Sequence, residues 1–310
     1  MIRVRDPQTD YVQNYEYLKL NYSIFVFSCI PVVFLCPVQL LQAVELVVSK
    51  KSWNVCDGSC ALMRKIIFEL CAESIQACLA ARDGGADRIE LCTALSEGGL
   101  TPSHGLTREA IRRSGLPVHV LLRPRTGDFL YTNDEFTLMC EDLRHARTLG
   151  ASGFVLGILR ADGTVDTQRI REIVELAAPL EVTFHRAFDY TASLEQALED
   201  VIATGCRRVL TSGGERDVIA GADRLARLVE LAAGRIEIAA GGGLRIKDAA
   251  ALARATRASH FHGSLRRGEV SGTQYERPWV RKDADQFEGA SRFVVDDADV
   301  RAMIDSLRGS

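Results

Sequence analysis

Lysine is nearly absent from the body of this 310-residue sequence: between Lys65 and Lys282 only Lys247 occurs. Lys247 falls on a segment that reads as a helix, outside any strand, which argues against a Schiff-base aldolase with its buried amine. An excess of charge of either sign is also missing. Lys and Arg number 38 against 41 Asp and Glu, a net charge of -3, and neither a general nucleic-acid binder nor a disordered tail protein is suggested. The nine cysteines, at 29, 36, 56, 60, 71, 78, 92, 140 and 206, are odd in number and follow no regular spacing. They supply no disulfide framework for a chain of this size and point to a reducing compartment. Cys56 and Cys60 stand as a lone C-x3-C pair, a weak zinc signal without a second pair.

Long apolar runs are lacking except in one place. Between Lys19 and Glu45 there is no charged residue, and the apolar stretches at 24–27 and 32–35 raise the alternative of membrane association through residues 20–44. Pro31 and Pro37 count against a straight spanning helix, and Asp6, Asp10 and Glu16 dilute the basic region a signal peptide needs. The plainer expectation is that residues 1–62 are an extension outside the core fold. The folded unit is then residues 63–310, opening at Met63 just ahead of the strand-like run at 66–68.

From residue 66 onward, short apolar runs rich in Val, Ile and Leu alternate eight times with longer amphipathic segments. The runs lie at 66–71, 88–92, 118–123, 153–159, 181–185, 208–211, 236–240 and 260–262. Between them, Ser193 to Gln196 reads as a capping box, after which Leu194, Ala197, Leu198 and Val201 share one helix face and Gly205 ends it. Phe136, Met139, Cys140 and Leu143 recur at helical spacing before Gly150. Eight such units predict an α/β fold, a single (β/α)8 TIM-type barrel, because closure leaves no strand edge unpaired. A doubly wound sheet is the runner-up, but the turn after its first strand would carry glycines and residues 71–74 have none. Residues 268–289 read as a polar loop and 300–307 as a closing helix.

In such a barrel the chemistry sits at the carboxyl ends of the strands, where period-two alternation selects the inward side chains. Glu69 and Cys71 share a face of the first run, Glu90 and Cys92 of the second, His119 and Arg123 of the third; His185 ends the fifth and His262 the eighth. Buried charges need partners, so Glu69, Glu90 and Arg123 are expected to pair across the barrel, either as a packed ionic layer or as a catalytic site. Glycines follow the later strands at Ser212-Gly213-Gly214, 241–243 and Gly263-Ser264. Their N–H groups offer an anion site at Ser212, Gly213, Gly242, Gly243 and Ser264, with Arg245 and Arg266 nearby; tight turns explain such glycines equally well. Metal-assisted hydrolysis needs several convergent ligands, whereas His260 and His262 form one weak pair, more commonly explained as core histidines.

The segments FELCAES at 68–74, GGADRIELC at 84–92, EGGLTPS at 97–103, RPR at 123–125, GDFLY at 127–131, TFHRAFD at 183–189, LTSG at 210–213 and GGG at 241–243 together resemble the CutC family, named for copper homeostasis. The likeness runs from Met63 to about Leu307; residues 1–62 lie outside it, and the loop at 268–289 looks longer than is usual. It implies a single cytoplasmic barrel, often self-associating, with a role in copper handling. Two family cysteines proposed to hold copper match Cys71 and Cys92, and paired thiolates suit Cu(I).

Two functions from different classes follow. The first is a copper-binding protein holding Cu(I) through Cys71 and Cys92. The second is an enzyme acting on a small anionic or phosphorylated metabolite, in which Glu69, Glu90 or His185 serves as acid or base and Arg123 and Arg125 hold the anion.

Overall fold

The eight apolar runs become eight parallel strands that hydrogen-bond in chain order and close on themselves, β8 returning to β1. This is a computed structural model, describing residues 65–270, 272 and 292–309. The expectations for residues 1–62, among them the apolar stretch at 20–44 and the Cys56/Cys60 pair, lie outside the described residues. The strands are β1 (Ile67–Ala72), β2 (Arg88–Leu91), β3 (Val118–Leu121), β4 (Gly153–Leu156), β5 (Glu181–Phe184), β6 (Arg208–Thr211), β7 (Glu237–Gly241) and β8 (His260–Gly263). The helices are α1 (Ile75–Gly84), α2 (His104–Ser114), α3 (Asn133–Thr148), α4 (Thr167–Ala177), α5 (Leu194–Thr204), α6 (Ala222–Ala232), α7 (Ile246–Thr256) and the closing α8 (Asp297–Arg308). The expected TIM-type barrel is therefore the observed one.

Short polar residues start several helices by accepting otherwise orphaned N–H groups: Ser74 from Ala77, Ser103 from Leu106, Asp166 from Arg169. Ser193 accepts from Gln196 N–H at 3.3 Å, but Gln196 turns its own side chain to Asp200, so only half of the expected capping box forms there. The reciprocal box is at Thr132 and Glu135, opening α3.

Period-two alternation divides the buried apolar residues into two bodies. Phe68, Leu70, Ile89, Leu91, Val120 and Phe154 face outward and pack with helix residues such as Ala81, Met139, Leu143 and Ile170 in the large core between strands and helices. Cys71, Cys92, Leu121 and Val155 form a separate small cluster. They belong to the alternate face, the barrel's inside.

The segment after β8 is not all loop. Residues Arg267–Glu269 (β9) pair antiparallel with Arg292–Val294 (β10), in register Arg267↔Val294 and Glu269↔Arg292. An ion pair between Arg292 and Glu269 and the Arg266 guanidinium 4.2 Å from the Phe293 ring centroid hold it. Charged residues there mask the strand pattern, which explains why the sequence reads as loop. The rest of the expected loop lies outside the described residues.

Candidate functional site

The amino ends of the strands carry a layer of charge that the sequence reading did not place. Arg208 opens β6 and is 1% exposed; it donates to Thr183 Oγ1 at 3.0 Å and to Glu181 and Glu237 at 3.0 and 2.6 Å. His260 Nε2 lies 3.2 Å from Glu237. One step toward the mouth, Arg88 pairs with Glu69, whose other oxygen meets His262 Nδ1 at 2.8 Å. Burial opposes the Glu69 charge, but Arg88 and His262 overcome it and hold this carboxyl well below its ordinary value. Burial likewise presses on His262, and Glu90 and Glu69 together keep its imidazole above the ordinary value.

Above this layer the strand ends open into a cavity of about 350 Å³. Cys71 from β1, Glu90 from β2, His262 at the end of β8, Arg123 just past β3, and His185 and Arg186 just past β5 all line it, with Gly242, Gly243, Ser264 and Arg266 from the later loops. Cys71 Sγ is 3.7 Å from Cys92 Sγ and 4.0 Å from Glu90 Oε1. Contact with Cys92, burial and the nearby carboxylates push the Cys71 thiol well above its ordinary value. Glu90 is pushed up to about 7 by burial and by Glu69, against the pull of His262. Ligating atoms of Cys71, Glu90 and His262 all lie within 4.8 Å of one another. The Glu69 contact occupies His262 Nδ1, and among the described residues Nε2 has no hydrogen-bond partner. A second carboxylate orienting a histidine in this way is the usual support for a metal-binding imidazole.

The sequence-derived candidates are thus only partly brought together. Glu90, Arg123, His185, Cys71, Gly242, Gly243 and Ser264 line the cavity; Cys92, with no exposure, lies behind Cys71, and Glu69 lies beneath. The expected pairing of Glu69, Glu90 and Arg123 does not occur. Arg123 instead donates to the carbonyls of Glu97, Gly99 and Gly127 at 2.8, 2.8 and 3.0 Å, because the loops after β2 and β3 fold over it. Arg125 turns away to Glu135, Asp128 and the Leu130 carbonyl, bracing its own loop.

Ser212 and Gly213 do not line the cavity, and the N–H groups after β6 are already engaged. Asp189 accepts from Ser212 N at 3.1 Å, Gly214 N at 3.0 Å, Ser212 Oγ at 3.0 Å and the Thr211 hydroxyl, while Gly213 N–H donates to Thr211 Oγ1 at 2.8 Å. The protein's own carboxylate fills this nest. His262, placed from sequence at the mouth end of the eighth run, lines the cavity, whereas His260, its partner in the weak pair, does not and faces Glu237 instead.

Residues 66–267 match the model of the CutC family. The chain belongs to the CutC family. A CutC family protein of Chromobacterium violaceum is 46% identical over 241 residues, covering 78% of this chain and 98% of its own length. One from Vibrio cholerae is 45% identical over 228 residues, 72% of this chain and 90% of that one. Among solved structures, a CutC of Streptococcus agalactiae named for copper homeostasis superposes with a TM-score of 0.61 at 32% identity, covering 64% of this chain and 98% of that one. The CutC match takes in β1 to β8 and every cavity residue named above. No helix among the described residues is long and apolar enough to cross a membrane.

Proposed function

We propose that this CutC protein serves copper homeostasis by binding Cu(I) at the barrel mouth, with Cys71 and Cys92 as thiolate donors and His262 beside them. The observation that carries this reading is the sulfur pair: two free cysteines 3.7 Å apart, one lining a cavity next to an imidazole and a carboxylate. Cu(I) prefers soft sulfur and accepts low coordination, so the donor types fit the ion. Cys71 is 4% exposed and faces the cavity, whereas Cys92 is sealed by Leu121, Val155 and Leu95. Copper therefore reaches Cys71 and His262 first and Cys92 from within.

Thiols must lose their protons to become ligands, so binding releases protons and the apparent affinity rises with pH. The same reading places the protein in the cytoplasm and has it self-associate, as the family likeness implies. The five described cysteines, all free and buried, fit a reducing compartment.

The test is a Cu(I) competition titration of the reduced full chain. The wild type should hold about one ion per chain, as one two-thiol site does. Cys71→Ser with Cys92→Ser should abolish tight binding, and His262→Ala should weaken it about tenfold or more. Unchanged affinity in the double cysteine variant rejects the assignment.

A further inference from the structure

The cavity holds a positive charge that the protein does not balance. Arg123 is 5% exposed, and among the described residues no carboxylate comes within ion-pair distance of it. Its three hydrogen bonds all go to neutral carbonyls, its Nε has no partner, and its guanidinium lies 5.4 Å from the Phe129 ring centroid. Other charges around the cavity have ion-pair partners: Glu69 has Arg88 and His262, Glu90 has His262 at 3.6 Å, Arg186 has Asp189 at 2.8 Å, and Arg266 has Glu73 at 3.5 Å. A guanidinium taken out of water without a counterion is costly, and a ligand that supplies the counterion recovers that cost.

His185 points the same way independently. It is 7% exposed and lines the same cavity. Its Nδ1 accepts from the Ala187 N–H at 3.1 Å, which puts the ring proton on Nε2. That Nε2 is buried and has no partner. Burial and the Arg123 charge push the imidazole down to about 3, so near neutrality it stays an uncharged donor waiting for an acceptor.

Arg186 completes the set. Its Nε and NH2 are held by Asp189 and Ser212 Oγ, while NH1 makes no hydrogen bond among the described residues. The guanidinium lies against Gly242, whose φ of +113° suits glycine and where a Cβ would stand 3.0 Å from Arg186 Cζ. The missing side chain is what gives the guanidinium its place.

We propose that Arg123, His185 and Arg186 form a binding site for a small organic anion, a carboxylate or a phosphate ester, with an anionic oxygen accepting from His185 Nε2–H. None of the three is a donor in the copper reading, so the site stands apart from it within the same cavity. Carboxylates and phosphate esters share the oxygens this wall recognises, and planar guanidinium groups serve both. A volume of about 350 Å³ suits a small metabolite.

The experiment is calorimetric titration of the copper-free full chain with inorganic phosphate, glycerol phosphate and malonate at constant ionic strength. At least one probe should bind saturably, and the preferred probe tells phosphate from carboxylate. Affinity should fall about tenfold or more in Arg186→Met and again in His185→Phe, which keeps an aromatic ring against Phe129. The surface variant Arg144→Gln should bind as the wild type does. Thermal unfolding of each variant identifies the folded ones; if Arg186→Met fails to fold, His185→Phe and Arg123→Met decide. No saturable binding of any probe, or affinities in the folded variants equal to that of the wild type, overturns the proposal. Because no copper is present, failure here leaves the Cu(I) titration untouched, and a failed Cu(I) titration leaves this one standing.

Discussion

Glu69 meets Arg88 on one side and His262 on the other, deep enough that each of these charges depends on the rest. Removing Arg88 leaves the buried Glu69 carboxylate with His262 but without its guanidinium, a charge only partly compensated in a dry interior. Arg88→Met should therefore cost about 3–5 kcal/mol in urea unfolding. Adding Glu69→Leu should recover part of the loss, giving a coupling of about 2 kcal/mol between the two positions. A double variant whose loss equals the sum of the single losses would show that the pair carries no mutual stabilisation. The inward residues Glu69, Cys71, Glu90, Cys92 and His185 were legible in the sequence because alternation alone selects them. Their partners were not. Glu69 faces Arg88 and His262 through strand register, and His262 lies 193 residues away along the chain. Arg88, Arg208 and Glu237 begin their strands, where charges ordinarily reach solvent; closure of the ring buries or half-buries them instead.

At the scale of elements, the eight-fold alternation fixed the order of strands and helices, and the observed strands fall within a residue or a few of the expected runs. Loops were less readable, because a glycine run looks the same whether it awaits a ligand or encloses an internal carboxylate. After β6 it encloses Asp189, while after β7 the glycines Gly242 and Gly243 reach the cavity. The joint between α1 and α8 gives a test of packing at this level. A Cβ on Gly84 would stand 2.7 Å from the Asp297 carbonyl oxygen and 2.5 Å from Val300 Cβ, so α8 would have to move. On an open helix Gly→Ala usually stabilises, by up to about 1 kcal/mol. Here overpacking should reverse the sign and cost about 1–3 kcal/mol, lowering the calorimetric Tm by several degrees. A Tm unchanged or raised in Gly84→Ala would mean that α8 does not seat against α1 at this position.

Taken as a whole, the molecule buries several histidines in neutral form, and its stability should respond to acid accordingly. Burial pushes His119 and His260 down to about 4 and His185 down to about 3. In the unfolded chain each titrates near its ordinary value of about 6.5. Between these limits the unfolded state binds three protons that the native state refuses, so these groups stabilise fully above about pH 6.5 and lose that contribution as pH falls. Glu90 acts in the opposite sense: raised to about 7, it holds a proton in the native state that the unfolded chain releases down to about pH 4.5. His262, held above its ordinary value, stabilises fully below about pH 6.5 and adds no slope there. Three protons less one leaves about two, or roughly 3 kcal/mol of stability lost per pH unit around pH 5 in the copper-free protein. Urea midpoints measured from pH 7.5 to 5 check this, and His260→Gln should reduce the slope by about 1.4 kcal/mol per unit. A profile flat to pH 5 would show that the barrel admits water or protons to these imidazoles in its native state, and the dry, pre-formed donor at His185 would then lose its footing.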